Sequence, residues 1–196
     1  SGEIKSPVSS SEKMRFGVTA AQSRTAEIQK DEIRKTGNVW NYSDINNLNT
    51  DQMFAGKHTY SVQSSDPAGI MPFLFEDFDP LFRQNVKPGD IIIAGENFGC
   101  GSSREHPSVG LAYAGIKAII VKSVNRIFFR SSVNQGLPLI VNPEAVDAYK
   151  QGDNVEVDFS KGVIIIGKKQ FTFSPLPDKL QKIIEMKGLV NYMKAV

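Results

Sequence analysis

Three short apolar runs in the middle of the chain set its expected architecture. They are Ile91–Ala94, residues 117–121 and residues 137–141, and each is rich in Ile, Val or Leu. Segments long enough for helices separate these runs and end at Gly115 and Gly136, as helices commonly do. An order of strand, helix, strand, helix and strand with short connections requires a parallel sheet with right-handed crossovers. The pattern therefore predicts an α/β domain with a parallel sheet core.

The segment before these runs predicts smaller elements. Residues 37–42 have the composition of a strand, and residues 44–51 form a polar loop with several Asn. Asp79 followed by Pro80 marks the start of a short helix.

Beyond the third run the pattern changes from helical to hairpin spacing. Residues 154–159, 163–166 and 170–173 are short β-runs separated by turns that contain Gly and Lys. Residues 175–187 carry apolar side chains at helical spacing. A C-terminal β-hairpin region followed by a helix is therefore expected.

The first 35 residues differ from the rest of the chain. Residues 1–13 are rich in Ser, Pro and Lys and hold few large apolar side chains, as linkers do. Residues 14–25 contain two arginines and no acid, a faint likeness to a transit segment. We predict an N-terminal extension or linker over residues 1–35 and one domain over residues 36–196.

Charge and hydropathy exclude two classes of partner. The 23 basic and 21 acidic residues are mixed along the chain, with a net charge of +2. Nucleic-acid binding by charge would need a clustered basic face, and no apolar run reaches the length of a membrane span. Neither nucleic acid nor membrane is therefore expected as a partner.

Cysteine and histidine are scarce. Cys100 is the single cysteine, so an internal disulfide framework is excluded. With only two histidines in addition, the chain is not expected to build a metal or iron–sulfur site of its own. A free thiol fits a cytoplasmic location, or an organelle matrix if residues 1–35 include a transit segment.

Glycines and then polar residues follow the first apolar run directly. We interpret residues 91–107 as a strand, a glycine turn and the first turn of a helix that carries Ser102, Ser103 and Arg104, with Pro107 early in the helix. A helix N-terminus offers unpaired N–H groups and a partial positive charge, and a guanidinium beside it favours a carboxylate or phosphate. The alternative is that these residues only cap the helix.

Other motifs fit this segment poorly. Arg104 stands where a dinucleotide fingerprint has its third glycine, and the lysine of a phosphate-binding loop is absent. Ser102 and Ser103 do not lie within the Gly-x-Ser-x-Gly sequence of hydrolases. Cys100 has no nearby base except His106, so a nucleophilic role is disfavoured.

At this motif the chain resembles the small subunits of 3-isopropylmalate dehydratase and homoaconitase, in which the swivel domain of the aconitase superfamily is a separate chain. The likeness covers roughly residues 37–173. The shared stretches are Asn49-Thr50-Asp51, Gly89-Asp90-Ile91-Ile92, residues 94–106, residues 115–120, residues 126–130 and Gln135-Gly136-Leu137-Pro138.

The resemblance implies a swivelling β/β/α domain that closes over the active site of a separate large subunit. In that family the large subunit holds a [4Fe-4S] cluster, and the reaction is the reversible loss and regain of water on a hydroxy-dicarboxylic acid. This chain would then hold no metal or cofactor. Its partners would be a large iron–sulfur subunit and a small dicarboxylate substrate.

The resemblance also gives individual residues their roles by motif position. Ser102 is the candidate alkoxide base that takes the proton next to a carboxylate. Arg104 would hold a substrate carboxylate and keep Ser102 deprotonated, for which the guanidinium fork is well suited. Asp51 would pair with a large-subunit histidine that acts on the leaving hydroxyl. Ser103 and the Gly101 backbone would complete the anion cradle.

Departures from the family pattern bear on the substrate. Asn49 replaces the first aspartate of the family's loop, and the loop expected to set specificity is His58-Thr59-Tyr60-Ser61. It has no arginine for a third carboxylate, which argues against tricarboxylates. Tyr60 and His58 are expected to line the substrate site, with Tyr60 next to an alkyl or aromatic substituent. A 2-alkylmalate-type substrate is predicted, isopropylmalate or a relative such as dimethylmalate.

Other functions remain open on the sequence. Within the family, the alternative is a small subunit of the homoaconitase or dimethylmalate dehydratase type. Outside it, the alternatives are a phosphate- or nucleotide-binding module at the same helix N-terminus and a non-catalytic adaptor. The specific central motif favours a hydro-lyase small subunit that is active only with its large subunit.

Overall fold

A computed structural model describes residues 37–195 of the chain, and the predicted N-terminal extension lies outside the described residues. The strands are β1 Val39–Tyr42, β2 Ile91–Ala94, β3 Ala118–Val121, β4 Leu139–Val141, β5 Val155–Asp158, β6 Val163–Ile166 and β7 Lys169–Thr172. The α-helices are α1 Thr50–Met53, α2 Pro67–Ile70, α3 Pro80–Asn85, α4 His106–Tyr113, α5 Arg126–Asn134, α6 Pro143–Ala148, α7 Asp178–Glu185 and α8 Leu189–Ala195. Short 3-10 helices lie at Gly56–His58 and Met71–Phe73.

Strands β1 to β4 form a parallel sheet in sequence order. In its register Ile92 lies between Trp40 of β1 and Ile119 of β3. Every residue of β2 and β3 is buried, as expected for parallel strands covered on both faces. The predicted α/β fold with a parallel core is confirmed.

The two faces of the parallel sheet pack against different layers. Ile92 belongs to a core that it shares with Leu111 of α4 and Phe128 of α5. The next residue, Ile93, belongs to a second core together with Val155 of β5. Because successive side chains point to opposite faces of a strand, α4 and α5 cover one face, and α6 together with the strands after it covers the other. This is the expected β/β/α arrangement.

Strands β5, β6 and β7 form a separate antiparallel sheet. In it Val157 lies opposite Ile164, and both side chains are buried. The predicted C-terminal hairpin region is confirmed.

The helix after β2 begins later than the sequence predicts. Helix α4 starts at His106, and Ser102, Ser103 and Arg104 lie in the loop before it. Pro107 has no N–H, and its ring clashes with the carbonyl four residues earlier, so it is tolerated only in the first turn. A helix that began at Ser102 would place Pro107 in its interior. The prediction that these three residues form the first helical turn is therefore wrong.

Several short helices are missing from the sequence prediction, among them α1 and α6. The polar loop after β1 ends at Asn49 rather than Asp51, because a capping box between Asn49 and Gln52 starts α1. Helix α6 begins after Asn142, whose side chain accepts a hydrogen bond from the N–H of Ala145.

Candidate active site

The candidate site lies at the carboxyl ends of β1 and β2, where parallel sheets generally bind ligands. Backbone hydrogen bonds join the two connections that leave these strands. Gly99 N donates to Leu48 O at 2.8 Å, and Thr50 N donates to Cys100 O at 2.8 Å. The start of α1 is thereby held against the loop that carries Ser102.

Gly101 makes the turn immediately before Ser102. Its φ is +107°, a conformation that residues with a side chain rarely adopt. A Cβ built on it would lie 2.9 Å from Thr50 Oγ1. Glycine at this position therefore permits both the turn and the close approach to Thr50.

The Ser102 side chain lies between a guanidinium and a hydroxyl. Arg104 Nε donates to Ser102 Oγ at 2.7 Å, and Thr50 Oγ1 lies 3.2 Å from the same oxygen. Ser102 N donates to Thr50 Oγ1 at 3.0 Å. A hydrogen bond from a guanidinium favours the charged form of an acceptor oxygen. The arrangement thus suits an oxygen that becomes an alkoxide.

Arg104 uses all three nitrogens of its guanidinium. Besides the bond to Ser102, Nη1 donates to Thr59 Oγ1 at 3.0 Å and Nη2 is paired with Asp51 Oδ1. The Arg104 side chain is 21% exposed and the Asp51 side chain 57% exposed. The arginine is therefore fixed at three points, and a carboxylate that solvent can reach occupies its outer edge.

The backbone of the 3-10 turn Gly56–His58 packs on this ion pair. Gly56 N donates to Asp51 Oδ1 at 3.2 Å. A Cβ at Gly56 would lie 2.7 Å from Arg104 Nη1 and 3.1 Å from Asp51 Oδ1. An open depression of about 410 Å³ begins at Asp51 and Gly56 and extends to Phe78.

His58, predicted to bind substrate, lies beside the site and contacts Glu76 and Phe73. Its Nε2 lies 2.5 Å from Glu76 Oε1, and its ring stacks on Phe73 at a centroid distance of 4.0 Å. Lys57 Nζ lies 2.8 Å from the same Glu76 oxygen. The structure thus uses His58 to anchor the segment that carries Thr59.

The Glu76 carboxyl has an altered pKa. Burial acts to raise this pKa, but hydrogen bonds and charge interactions with Lys57 and His58 outweigh it, so the pKa lies below its ordinary value. The carboxylate form is therefore favoured at the anchor of the 3-10 turn.

Tyr60 and Ser103 point away from the protein interior. Tyr60 is 100% exposed, and Ser103 is exposed next to the half-buried Ser102. Five predicted site residues, Ser102, Arg104, Asp51, Ser103 and Gly101, therefore lie in or beside one cluster. Tyr60 and His58 flank the cluster on the segment that contributes Thr59.

Thr50 and Thr59 contact the cluster directly but carry no role in the sequence prediction. Thr50 lies between Asn49, which departs from the family pattern, and Asp51, a predicted site residue. Thr59 lies within the predicted specificity loop. Their contacts reach Ser102 and Arg104 across 52 and 45 residues of sequence. The only sequence signal for either threonine is its position within a motif, Asn49-Thr50-Asp51 for Thr50 and the segment from His58 to Ser61 for Thr59.

The chain has too few cysteines to hold an iron–sulfur cluster with cysteine ligands of its own. Cys100 is its single cysteine, and its Sγ lies 3.5 Å from Asn47 O. Within residues 37–195, no three His, Cys, Asp or Glu side chains are grouped so as to hold a metal ion. No helix in that same range is long and apolar enough to cross a membrane.

Comparison with known proteins gives a consistent family. The model of the Aconitase C-terminal domain matches residues 13–144. The 3-isopropylmalate dehydratase small subunit of Aliarcobacter butzleri (strain RM4018) is 43% identical over 162 residues, which cover 82% of this chain and 94% of the relative. That of Aquifex aeolicus (strain VF5) is 41% identical over 166 residues, covering 83% of this chain and 96% of the relative.

A solved structure agrees. The crystal structure of 3-isopropylmalate dehydratase from Methanocaldococcus jannaschii superposes with a TM-score of 0.69 at 36% identity. The match covers 81% of this chain and 90% of that chain. The resemblance noted in the sequence is confirmed. The chain belongs to the aconitase C-terminal domain family, among the 3-isopropylmalate dehydratase small subunits.

Proposed function

We propose that this chain is the small subunit of a hydro-lyase that removes and restores water on a 2-alkylmalate-type dicarboxylate, with 3-isopropylmalate as the favoured substrate. The observation that carries the proposal is the 2.7 Å hydrogen bond from Arg104 Nε to Ser102 Oγ, on an arginine whose outer edge already holds a carboxylate. Family membership and the names of the relatives support the same reaction.

Loss of water from such a substrate needs a base for the proton on the carbon next to a carboxylate. A serine alkoxide can take that proton, and the hydrogen bond from the guanidinium of Arg104 stabilises the alkoxide. The same guanidinium can bind the substrate carboxylate and place the adjacent carbon beside Ser102. Ser103 and the backbone of Gly101, both exposed, complete the anion cradle.

Asp51 occupies the position on Arg104 that we assign to the substrate carboxylate. We infer that substrate takes its place and that the freed Asp51 pairs with a histidine of the large subunit, which acts on the leaving hydroxyl. The 57% exposure of the Asp51 side chain supports this exchange, because the carboxylate can leave without disturbing the core.

We propose that a large subunit holding a [4Fe-4S] cluster is the partner. Clusters of this kind need several cysteine ligands, and this chain has one cysteine. The relatives are themselves named small subunits, which supports a two-chain enzyme. A cytoplasmic location is proposed for that assembly.

The preference for an alkyl-substituted dicarboxylate rests on the segment from His58 to Ser61. It contains no arginine that could bind a third carboxylate. Tyr60 offers an exposed ring that can contact an alkyl substituent once substrate and partner are in place.

A phosphate- or nucleotide-binding module is not favoured. That alternative relied on Ser102, Ser103 and Arg104 lying in the first turn of a helix, and α4 begins only at His106. A non-catalytic adaptor would need neither the Gly101 turn nor the Ser102 to Arg104 hydrogen bond.

The proposal is tested by reconstitution. The chain is mixed with the cluster-loaded large subunit from the same source, and hydration of isopropylmaleate is followed by loss of its ultraviolet absorbance. We expect turnover only when both chains are present, and slower turnover with a tricarboxylate such as homoaconitate. A mixture that hydrates no alkylmaleate, together with a chain whose melting temperature rises with nucleotide, would contradict the proposal.

A further inference from the structure

Thr50 is a buried hydroxyl with two contacts to the proposed base. It is 1% exposed, and its Oγ1 accepts the N–H of Ser102 at 3.0 Å. The same oxygen lies 3.2 Å from Ser102 Oγ. Both the backbone and the side chain of Ser102 are thus held by one hydroxyl group.

Thr50 is itself firmly placed. It is the first residue of α1, where the Asn49 and Gln52 capping box fixes the helix start. Its backbone N–H donates to Cys100 O at 2.8 Å, and its carbonyl accepts from Phe54 N at 2.9 Å. A hydroxyl held in this way does not need to reorganise when charge develops on its neighbour.

The protons around Ser102 Oγ can be accounted for. Arg104 Nε donates to it in every protonation state, because a guanidinium nitrogen cannot accept. Between the two hydroxyls, either oxygen can be the donor while Ser102 is neutral. Once Ser102 loses its proton, only Thr50 can donate. The Thr50 hydroxyl then becomes the second donor to the alkoxide, while it still accepts the N–H of Ser102.

We propose that Thr50 is a positioning residue for the reaction, which orients Ser102 and donates a hydrogen bond to its alkoxide form. The inference rests on the proposed function, in which Ser102 is the base. It assigns the donor set of that base as Arg104 Nε and Thr50 Oγ1. A neutral hydroxyl thereby donates to the alkoxide beside the charged Arg104, and it also accepts the N–H of Ser102.

A purely structural role predicts a different behaviour. The backbone bonds of Thr50 to Cys100 and Phe54 survive any substitution of its side chain. If Thr50 only packed the start of α1, Thr50→Val would keep its shape and its activity, whereas Thr50→Ser would lose a methyl group. If the hydroxyl takes part in the reaction, Thr50→Val loses activity and Thr50→Ser keeps most of it.

The experiment uses the reconstituted two-chain enzyme. Thr50→Val, Thr50→Ser and the surface control Thr172→Val are compared by kcat, KM and the dependence of kcat/KM on pH. Loss of one hydrogen bond to a charged group corresponds to about a 10- to 100-fold loss of kcat for Thr50→Val. KM should change little, and the activity should be partly regained as the pH is raised. Thr50→Ser should keep most of the kcat that Thr50→Val loses, and the surface control Thr172→Val should match the parent enzyme.

Thr50→Cys keeps the test decisive if Thr50→Val does not fold. A thiol is a weak donor, so an intermediate kcat is expected. Equal losses in Thr50→Val and Thr50→Ser, or an unchanged pH dependence in Thr50→Val or Thr50→Cys, would overturn the inference.

Ser102→Ala, measured in parallel, separates this inference from the proposed function. If Ser102→Ala is inactive and Thr50→Val behaves as the parent enzyme, only the role of Thr50 fails. If Ser102→Ala keeps full activity, Ser102 is not the base and both proposals fail together.

Discussion

The two loops that meet at Arg104 are held in different ways. The loop before α4 carries Ser102 and is held to buried Thr50 by hydrogen bonds of 2.8 Å and 3.0 Å. The segment after α1 is anchored by the contact between the partly buried side chains of His58 and Glu76, and it includes the fully exposed Tyr60. The reacting groups are thus fixed within this chain, whereas the side chain expected to recognise the substituent has no packing of its own. We infer that chemistry is preorganised here and that selectivity is completed by the partner.

The largest effect is expected at Arg104, where the two loops join. Arg104→Ala removes the donor to Ser102 and the bond to Thr59 together, so kcat/KM should fall by about 100- to 1,000-fold. Arg104→Lys should recover little, because an ammonium cannot reproduce three separate nitrogens in one plane. Steady-state kinetics of the reconstituted enzyme measure both.

A chemical rescue serves as the control for Arg104. Free guanidinium should restore part of the activity of Arg104→Ala and none of that of Ser102→Ala. An Arg104→Ala enzyme with parental kcat/KM would show that the two loops do not depend on this residue.

A substitution at Gly101 tests how rigidly the first loop is held, through the loss of folding stability that it causes. Gly101→Ala places a Cβ at φ +107° and 2.9 Å from Thr50 Oγ1, so it combines backbone strain with a clash. Gly152→Ala is the matched control, because its φ is +93° and a Cβ there would meet nothing within 4 Å.

Strain of this kind costs about 1–3 kcal/mol, so both variants should unfold at lower urea concentration. Gly101→Ala should lose more stability than Gly152→Ala, and it alone should lose activity. Equal losses of stability would mean that the contact with Thr50 is not tight.

The anchor of the second loop should respond to acid. Because the folded-state pKa of Glu76 is lowered, its carboxylate stabilises the fold above the unfolded-state value of about 4.3, and this stabilisation is lost as the pH falls through the folded-state pKa. Glu76→Gln should therefore unfold more easily near neutral pH and lose less stability than the parent protein as the pH is lowered.

Asp77→Asn is the control for Glu76, because Asp77 is 70% exposed and contacts the same Lys57 at 3.1 Å. Urea unfolding at several pH values measures the difference. A parent protein and a Glu76→Gln variant with parallel pH dependence would show that Glu76 does not anchor this segment.

The smallest effect on stability is expected at Tyr60. Its side chain is fully exposed, so Tyr60→Ala should change the free energy of unfolding by less than about 0.5 kcal/mol. In the two-chain enzyme, however, KM for isopropylmaleate should rise relative to that for an unsubstituted maleate. Tyr113→Ala, a second exposed tyrosine, should change neither quantity. An unchanged ratio of these two KM values in Tyr60→Ala would show that Tyr60 does not contact the substrate.

The sheet was predictable because its signal is local. The apolar runs Ile91–Ala94 and Ala118–Val121 are long enough for buried strands, and β5 to β7 have hairpin spacing. The start of α4 was not predictable in this way. A serine, a glutamate and a proline close together resemble a helix start several residues before the observed one. Pro107 settles the position only once its steric conflict is considered.

The site was predictable to the extent that the family motif carries it. Ser102, Arg104 and Asp51 were all selected from that motif and lie together in the structure, but the ion pair between Asp51 and Arg104 was not predicted. Thr50 gave no chemical signal of its own, since a threonine is an ordinary residue in a helix start. Its contact with Ser102 depends on two loops that are 52 residues apart in sequence.

The central claim is that this chain supplies the base, and turnover by Ser102→Ala tests it most directly. The variant and a surface control, Ser160→Ala, are reconstituted with the large subunit, and kcat is measured beside the dissociation constant of substrate. Because Arg104 remains, we expect substrate binding within a few-fold of the parent enzyme and a kcat lower by about 100-fold or more in Ser102→Ala alone. A Ser102→Ala enzyme that turns over at the parental rate would contradict the account.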